Sequence, residues 1–335
     1  MEDPAADGNL GSALALWCQK PLTYARLPVS LGPLPPGAVV LEAVASAISR
    51  GTERLVLEGA VPPSEHARMR CPHQQGEFPF PVKYGYALVG RVAAGPPALR
   101  GRLVFALHPH QTRAVLPAEA VVPVPQSVPA VRATLAANME TALNVVWDAG
   151  IAPCDRVLVA GAGVVGLLVA HLAAKIPGTA VTVVDTDPAK GTSARALGAA
   201  FAAPADAPQG VDVAINASGS GAGLATALAA AGREATVVEA SWHGANEVTL
   251  PLGGAFHSQR LKIVSSQVGA LPAARAARWT HARRLGAAIG LLEDPALDTL
   301  ISHTIPFAEA PDRLPPLLTE PGPLAIVLTY DAPAP

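Results

Sequence analysis

Residues 161–166 read Gly161-Ala162-Gly163-Val164-Val165-Gly166, directly after the apolar run Arg156-Val157-Leu158-Val159-Ala160 and at the start of a helical stretch, Val164–Lys175. A GxGxxG between a strand and a helix restricts the chain sharply. The first glycine permits a tight turn, the second lets the backbone approach a pyrophosphate, and the third allows close helix–strand packing. The helix N-terminus adds unpaired N–H groups and positive dipole. Asp185 ends the next apolar run, Ala180-Val181-Thr182-Val183-Val184, where an acidic residue meets the adenosine ribose. A carboxylate there accepts bonds from the 2′-hydroxyl and repels a 2′-phosphate, which favours NAD over NADP. The competing reading is a glycine-rich turn followed by an aspartate that caps the next helix.

The surrounding sequence has two textures. After Pro123-Val124-Pro125, continuous apolar runs alternate with helical stretches, Val164–Lys175 and Pro188–Leu197. Strands are expected at Val211–Ile215, Ala235–Glu239, Leu261–Ser265 and Leu324–Leu328, and a helix over Ala273–Leu292. Such alternation is the signature of a parallel sheet covered on both faces. From Leu14 to about Val124, short strand candidates (Val39–Val44, Ala87–Val92, Arg102–Leu107) are separated by Pro and Gly, which predicts a β-rich, barrel-like domain.

At 335 residues, 50% hydrophobic and 15% charged, the chain is long enough for two domains and too apolar for a disordered one. Its 24 basic and 26 acidic residues leave no electrostatic footprint for nucleic acid or an anionic membrane. Val157–Ala174 has about the length of a membrane span, but Gly161, Gly163 and Gly166 interrupt it. Cys18, Cys71 and Cys154 lie far apart without a CxxC pair, so neither a disulfide framework nor a tetra-cysteine zinc lobe is expected. The acidic start, Met1-Glu2-Asp3-Pro4, lacks the basic and apolar regions of a signal peptide. A cytoplasmic protein with a small-molecule substrate fits these features.

The order of these parts resembles the medium-chain dehydrogenase/reductase superfamily over nearly the whole chain. The most specific blocks are Ile48-Ser49-Arg50-Gly51-Thr52-Glu53-Arg54-Leu55, Val82-Lys83-Tyr84-Gly85-Tyr86-Ala87-Leu88-Val89-Gly90-Arg91-Val92, and Val157–Gly166. The resemblance implies an α/β fold. A GroES-like β-barrel catalytic domain would comprise residues 1–137 and 273–335, and a Rossmann doubly wound parallel sheet residues 138–272, which would also form a homodimer. Gly51-Thr52-Glu53-Arg54 is similar to the branch containing bacteriochlorophyllide a dehydrogenase, which oxidises a hydroxyethyl side chain to an acetyl group.

Zinc-dependent members hold the metal with a cysteine in the first block, a His-Glu pair in the second and a cysteine just before the dinucleotide domain. Here those positions fall on Ser49 or Arg50, on Tyr86-Ala87 and near Ala137, a set without thiolate or imidazole. Neither catalytic nor structural zinc is expected. Cys71-x-His73 and His108-x-His110 are read as turn segments shaped by Pro72 and Pro109 rather than as a metal site. His171 is read as a packing residue.

Alcohol oxidation without zinc needs a protein group to take the hydroxyl proton. The resemblance places Ser49–Glu53 and Tyr86 around the nicotinamide, so Glu53, Tyr86, Thr52 and Ser49 are the catalytic candidates. Lys83 would lower the Tyr86 pKa only if Gly85 turned the chain between them; otherwise Tyr86 is a barrel-lining aromatic. Cofactor contacts are expected from Gly161, Gly163, Val164, Val165, Gly166, Asp185, Lys190 and Ser218. Arg50 is expected on the pyrophosphate or in a surface ion pair, Thr141 against the nicotinamide and Ser266 beside its carboxamide. Glu140 is read as a helix N-terminal charge, and Phe78, Phe80 and Trp242 as lining a substrate pocket or covering a cleft.

Three functions follow. The first is zinc-independent, NAD-dependent interconversion of a secondary alcohol and a ketone on a fairly large organic substrate. The second is a zinc-free quinone or enone reductase using NADPH, against which Asp185 speaks. The third is a nucleotide-binding sensor without catalysis.

Overall fold

The structure, a computed structural model, describes residues 10–331; the acidic start at residues 1–4 lies outside them. The chain forms two units, residues 1–137 with 301–335 and residues 138–300. In the first unit, β1 (Ser12–Lys20), β2 (Thr23–Ser30) and β3 (Ala38–Ile48) precede α1 (Arg50–Glu58). There follow β4 (Gln75–Gly76), β5 (Val82–Lys83), β6 (Leu88–Ala94), β7 (Leu103–Ala106), β8 (Arg113–Pro117), β9 (Val121–Pro123) and α2 (Ala130–Ala133). The strands expected near Val39, Ala87 and Arg102 are β3, β6 and β7. β3 pairs antiparallel with both β6 and β8, and Val39, Leu41, Leu88, Val104 and Leu116 meet in the core between them. A smaller sheet runs in the order β2-β1-β5-β4.

β3 is buried almost throughout, and Ser49 turns it into α1, which closes at Gly59 in the left-handed region (φ 70°). Leu55, Val56 and Leu57 anchor α1 to the barrel, and the same burial carries Glu53 inside.

The second unit holds α3 (Ala136–Ala149, starting at the boundary), β10 (Arg156–Ala160), α4 (Val164–Ala174), β11 (Ala180–Val184), α5 (Gly191–Ala196) and β12 (Ala200–Ala202). β13 (Val211–Asn216), α6 (Gly221–Ala230), β14 (Ala231–Glu239), α7 (Ala255–Ser258), β15 (Lys262–Ser265), α8 (Ala273–Ala276) and α9 (His281–Gly290) complete it. Its six strands are parallel in the order β12-β11-β10-β13-β14-β15, the doubly wound arrangement with its switch point between β10 and β13. β10 is buried on both faces, as its unbroken apolar run requires. The chain then re-enters the first unit through β16 (Ile301–Pro306), α10 (Ala310–Thr319) and β17 (Ala325–Thr329), with β17 antiparallel to β3.

Two expectations are corrected. The return to the first unit comes at Ile301 rather than residue 273, so α8 and α9 belong with the dinucleotide-type sheet. Side-chain chemistry explains it. Arg284 of α9 is buried against Glu140 and Asn144 of α3, the rings of Trp147 and Trp279 lie 4.7 Å apart, and Lys175 pairs with Asp294 at 2.6 Å. The helix expected over Ala273–Leu292 is also broken, because Thr280 leaves helical geometry to cap α9, its hydroxyl accepting from the Arg283 N–H. Among the described residues no helix is long and apolar enough to cross a membrane.

Candidate active site

The switch point of the parallel sheet contains a glycine-walled crevice. Gly161 has φ +105°, and a Cβ there would stand 2.6 Å from the Cα of Ser218, at the end of β13. A Cβ on Gly166 would stand 2.0 Å from the Gly161 carbonyl oxygen, so the turn and α4 approach closely only without side chains. Gly163 has nothing within 4 Å of its Cβ position and caps α4 without a side-chain hydrogen bond. The start of α4 thus has open space at Gly163, which a pyrophosphate approaching the helix N-terminus needs. The fit to a dinucleotide rests on that space together with Asp185.

Asp185 follows β11 and accepts from Ala162 N–H at 2.6 Å and from Asp187 N–H at 2.9 Å. Each carboxylate oxygen accepts more than one bond, so the locked carboxylate can still accept from ribose hydroxyls. Lys190 ends the short turn 188–190 after Asp187, is half-buried and has a partner of its own. Ser218 donates to Asn216 Oδ1 at 2.7 Å and accepts from Ser220 N–H at 3.1 Å. Asn216 in turn donates to Glu239 Oε2 at 2.8 Å, tying the ends of β13 and β14 together. Ser266 donates to Asp148 Oδ2 at 2.6 Å, which commits its hydroxyl proton to α3. Thr141 lies on the same helix and also has a partner.

Within the first unit the catalytic candidates meet. Glu53 is 2% exposed; its Oε1 accepts from the Ser49 N–H at 2.8 Å, and its Oε2 lies 3.0 Å from His110 Nε2. With Nε2–H donating to that carboxylate, His110 Nδ1 accepts from the Ser46 hydroxyl at 2.8 Å, and Ser46 accepts from the Tyr330 hydroxyl at 2.9 Å. The result is a continuous buried chain, Tyr330–Ser46–His110–Glu53. Beside it the Tyr86 hydroxyl shares hydrogen bonds with the side chains of Ser49 and Thr52, and burial pushes its pKa up to about 12.

Ser46, His110 and Tyr330 were absent from the sequence-based candidates for proton transfer. One local sign existed: Gly85 has φ +126°, and a Cβ there would stand 2.6 Å from His110 Nε2. No pattern in the sequence links Tyr330 to Ser46.

Several expected roles are corrected. Arg50 makes no surface ion pair of the kind expected as its alternative; its guanidinium donates to the carbonyls of Leu317 and Glu320 at the end of α10. Lys83 donates to Gln111 Oε1 at 2.8 Å rather than to Tyr86, so the pairing that would have lowered the tyrosine pKa is not formed. Glu140 is no simple helix-terminal charge, being buried against Arg284 at 3.0 Å, and burial holds its pKa above the ordinary value despite that partner. Phe78 is buried and packs on His66 and Tyr84, whereas the half-buried Phe80 ring packs against Gly59 at the end of α1.

The positions that the resemblance assigns to zinc ligands do not offer a zinc donor set. The Arg50 guanidinium is engaged on carbonyls, the Tyr86 hydroxyl on Ser49 and Thr52, and Ala137 is an apolar buried residue. His110 faces Glu53 and Ser46, whereas the rings of His73 and His108 lie 5.2 Å apart. Among the described residues no three His, Cys, Asp or Glu side chains are grouped to hold a metal.

No protein-family model and no curated protein sequence matches the chain. Solved structures do. The chain is similar to a short chain alcohol dehydrogenase from E. coli CFT073 complexed with NADH, at 18% identity and a TM-score of 0.76, covering 96% of this chain and 100% of that one. It is similar to 2R,3R-butanediol dehydrogenase from Bacillus subtilis at 16% identity and a TM-score of 0.76, with the same coverage. L-idonate 5-dehydrogenase from Escherichia coli gives a TM-score of 0.78 at 14% identity, over 95% of this chain and 98% of that one. The protein therefore has the medium-chain dehydrogenase fold, a GroES-like barrel unit and a Rossmann unit.

Proposed function

We propose that this protein is an NAD-dependent oxidoreductase of the medium-chain dehydrogenase/reductase superfamily that interconverts a secondary alcohol and a ketone without a catalytic zinc. The observation carrying the reading is the Gly161–Gly166 crevice at the switch point, with the Asp185 carboxylate fixed over its turn by the Ala162 N–H. The dehydrogenases of the same fold act, by their names, on alcohols, and one holds NADH. Bound nicotinamide supplies a hydride acceptor or donor. This chain's residues must supply the rest.

Because the donor set at positions 49–50, 86–87 and 137 does not suit zinc, the hydroxyl proton falls to side chains. The Ser49–Thr52–Tyr86 hydroxyls form the outer layer of the cluster, and the Glu53–His110 pair forms the buried acceptor behind them. Ser46 and Tyr330 orient His110 by satisfying its second ring nitrogen. The Ile48–Leu55 resemblance supports a fairly large organic substrate. A second reading has one observation in its favour: Tyr86, protonated at neutral pH, is a ready donor to the oxygen that gains charge when an enone is reduced. Asp185 opposes the NADPH that this reading carries.

We further place the protein as a homodimer through its Rossmann unit, in the cytoplasm, where Cys18, Cys71 and Cys154 stay reduced. Fluorescence titration with NADH and NADPH under identical conditions tests the cofactor assignment. Tighter NADH binding, lost on Asp185→Ser, is the expected result. Tighter NADPH binding would move the protein to the enone reductases. Binding without turnover of any alcohol, ketone or enone would make it a sensor.

A further inference from the structure

Segments 71–75 and 108–111, strand β5, β8 and the end of β2 line an open cavity of about 230 Å³ in the first unit. Its polar lining is His73, Gln74, Gln75, Lys83, His108 and Gln111, with no carboxylate among the described residues that line it. Lys83 is the unusual member. It is 2% exposed, and the one hydrogen bond of its ammonium goes to a neutral amide oxygen, Gln111 Oε1, at 2.8 Å. The carboxylate of Glu77 points elsewhere, to Arg70 at 2.6 Å, and burial pushes the nearby Cys71 thiol up to about 12, so it carries no charge either. A desolvated ammonium without a counter-ion is costly and calls for an anion.

A second group points the same way. Gln74 Oε1 accepts from the Cys71 N–H at 3.3 Å, which sets the orientation of the amide, and its Nε2 is buried without any hydrogen-bond partner. An unsatisfied buried donor of this kind wants an acceptor from outside the chain. His108 Nδ1 lies 2.8 Å from the Pro109 carbonyl, which can only accept, so the proton sits on Nδ1 and Nε2 is left as a bare acceptor. Burial keeps this imidazole neutral by lowering its pKa to about 3.

We propose that this cavity binds a small oxyanion, a carboxylate or phosphate group, with the Lys83 ammonium as its counter-charge and Gln74 as a second donor. The cavity is smaller than those that hold drug-sized ligands, and so admits inorganic phosphate or a short hydroxy acid rather than a dinucleotide. The His108 acceptor accommodates the O–H that hydrogen phosphate or a hydroxy acid carries. The site is independent of the dehydrogenase reading, since it involves neither the Gly161 turn nor Glu53.

Calorimetric titration of the full chain, free of dinucleotide, with inorganic phosphate and with glycolate at matched ionic strength tests it. Saturable binding of at least one is expected, weakened tenfold or more in Lys83→Met and several-fold in Gln74→Leu. In the unaltered protein that same anion is expected to slow acylation of Lys83 by acetic anhydride, read by mass spectrometry, and to leave Lys20, Lys175 and Lys262 unchanged. Absence of saturable binding by both anions overturns the proposal. So does equal affinity in Lys83→Met, which would put the anion at the glycine turn. Should Lys83→Met fail to fold, unchanged affinity in Gln74→Leu together with unprotected Lys83 overturns it equally.

Discussion

In the proposed reaction Glu53 is the central residue, a buried carboxylate that accepts from both a backbone N–H and an imidazole. Glu53→Gln keeps the shape and removes the basic carboxylate, and is expected to lower kcat by about a hundredfold or more, in line with loss of general base catalysis. His110→Phe should give a similar loss of kcat. Full turnover in Glu53→Gln, with an unchanged melting temperature, would overturn the assignment. Lys83 makes a second prediction through its depressed pKa, about 8 against 10.5, caused by burial. Below pH 8 both folded and unfolded chains carry this proton, and the folded state bears the full cost of the buried charge. Between pH 8 and 10.5 the unfolded chain holds more protons, so stability rises with pH, by up to about 3 kcal/mol from this group. Urea unfolding of the wild type and of Lys83→Met across that window should show the increment only in the wild type.

Among the elements, α9 depends most on one side chain. Arg284 donates to Glu140 at 3.0 Å and to Asn144 at 2.5 Å, both buried, and to the part-buried Val268 carbonyl. Arg284→Met leaves Glu140 buried without its partner and should cost about 3–5 kcal/mol in denaturant unfolding. The double variant with Glu140→Gln should recover a large share of that loss, since no charge is then stranded. Full additivity of the two changes would show that the pair is not coupled. This helix is also where sequence reasoning went astray. The pattern reads as one helix over Ala273–Leu292, and only packing reveals the break at Thr280 and the inward turn of Arg284 to α3. By contrast, β10 and α4 were legible in place and type. An unbroken apolar run ending in GxGxxG has few other ways to satisfy its backbone and bury its side chains.

At the scale of the molecule, the expected assembly is a dimer, so sedimentation velocity should give a species of about twice the 34.0 kDa chain mass. A monomer at micromolar concentration would remove that expectation. The parallel sheet, the glycine turn and the place of Asp185 at the end of β11 were foreshadowed by motifs whose parts lie within one βαβ unit. Steric rules of that kind act over a few residues and leave their mark as spacing. The barrel was legible only as short strands between Pro and Gly, without its pairings. The Tyr330–Ser46–His110–Glu53 chain and the Lys83 cavity left no such mark. Their members come from segments up to 284 residues apart, brought together when β17 pairs with β3 and α1 buries its inner face. A hydrogen bond between buried groups constrains where two side chains end up in space, and nothing in the order of residues along the chain has to record it.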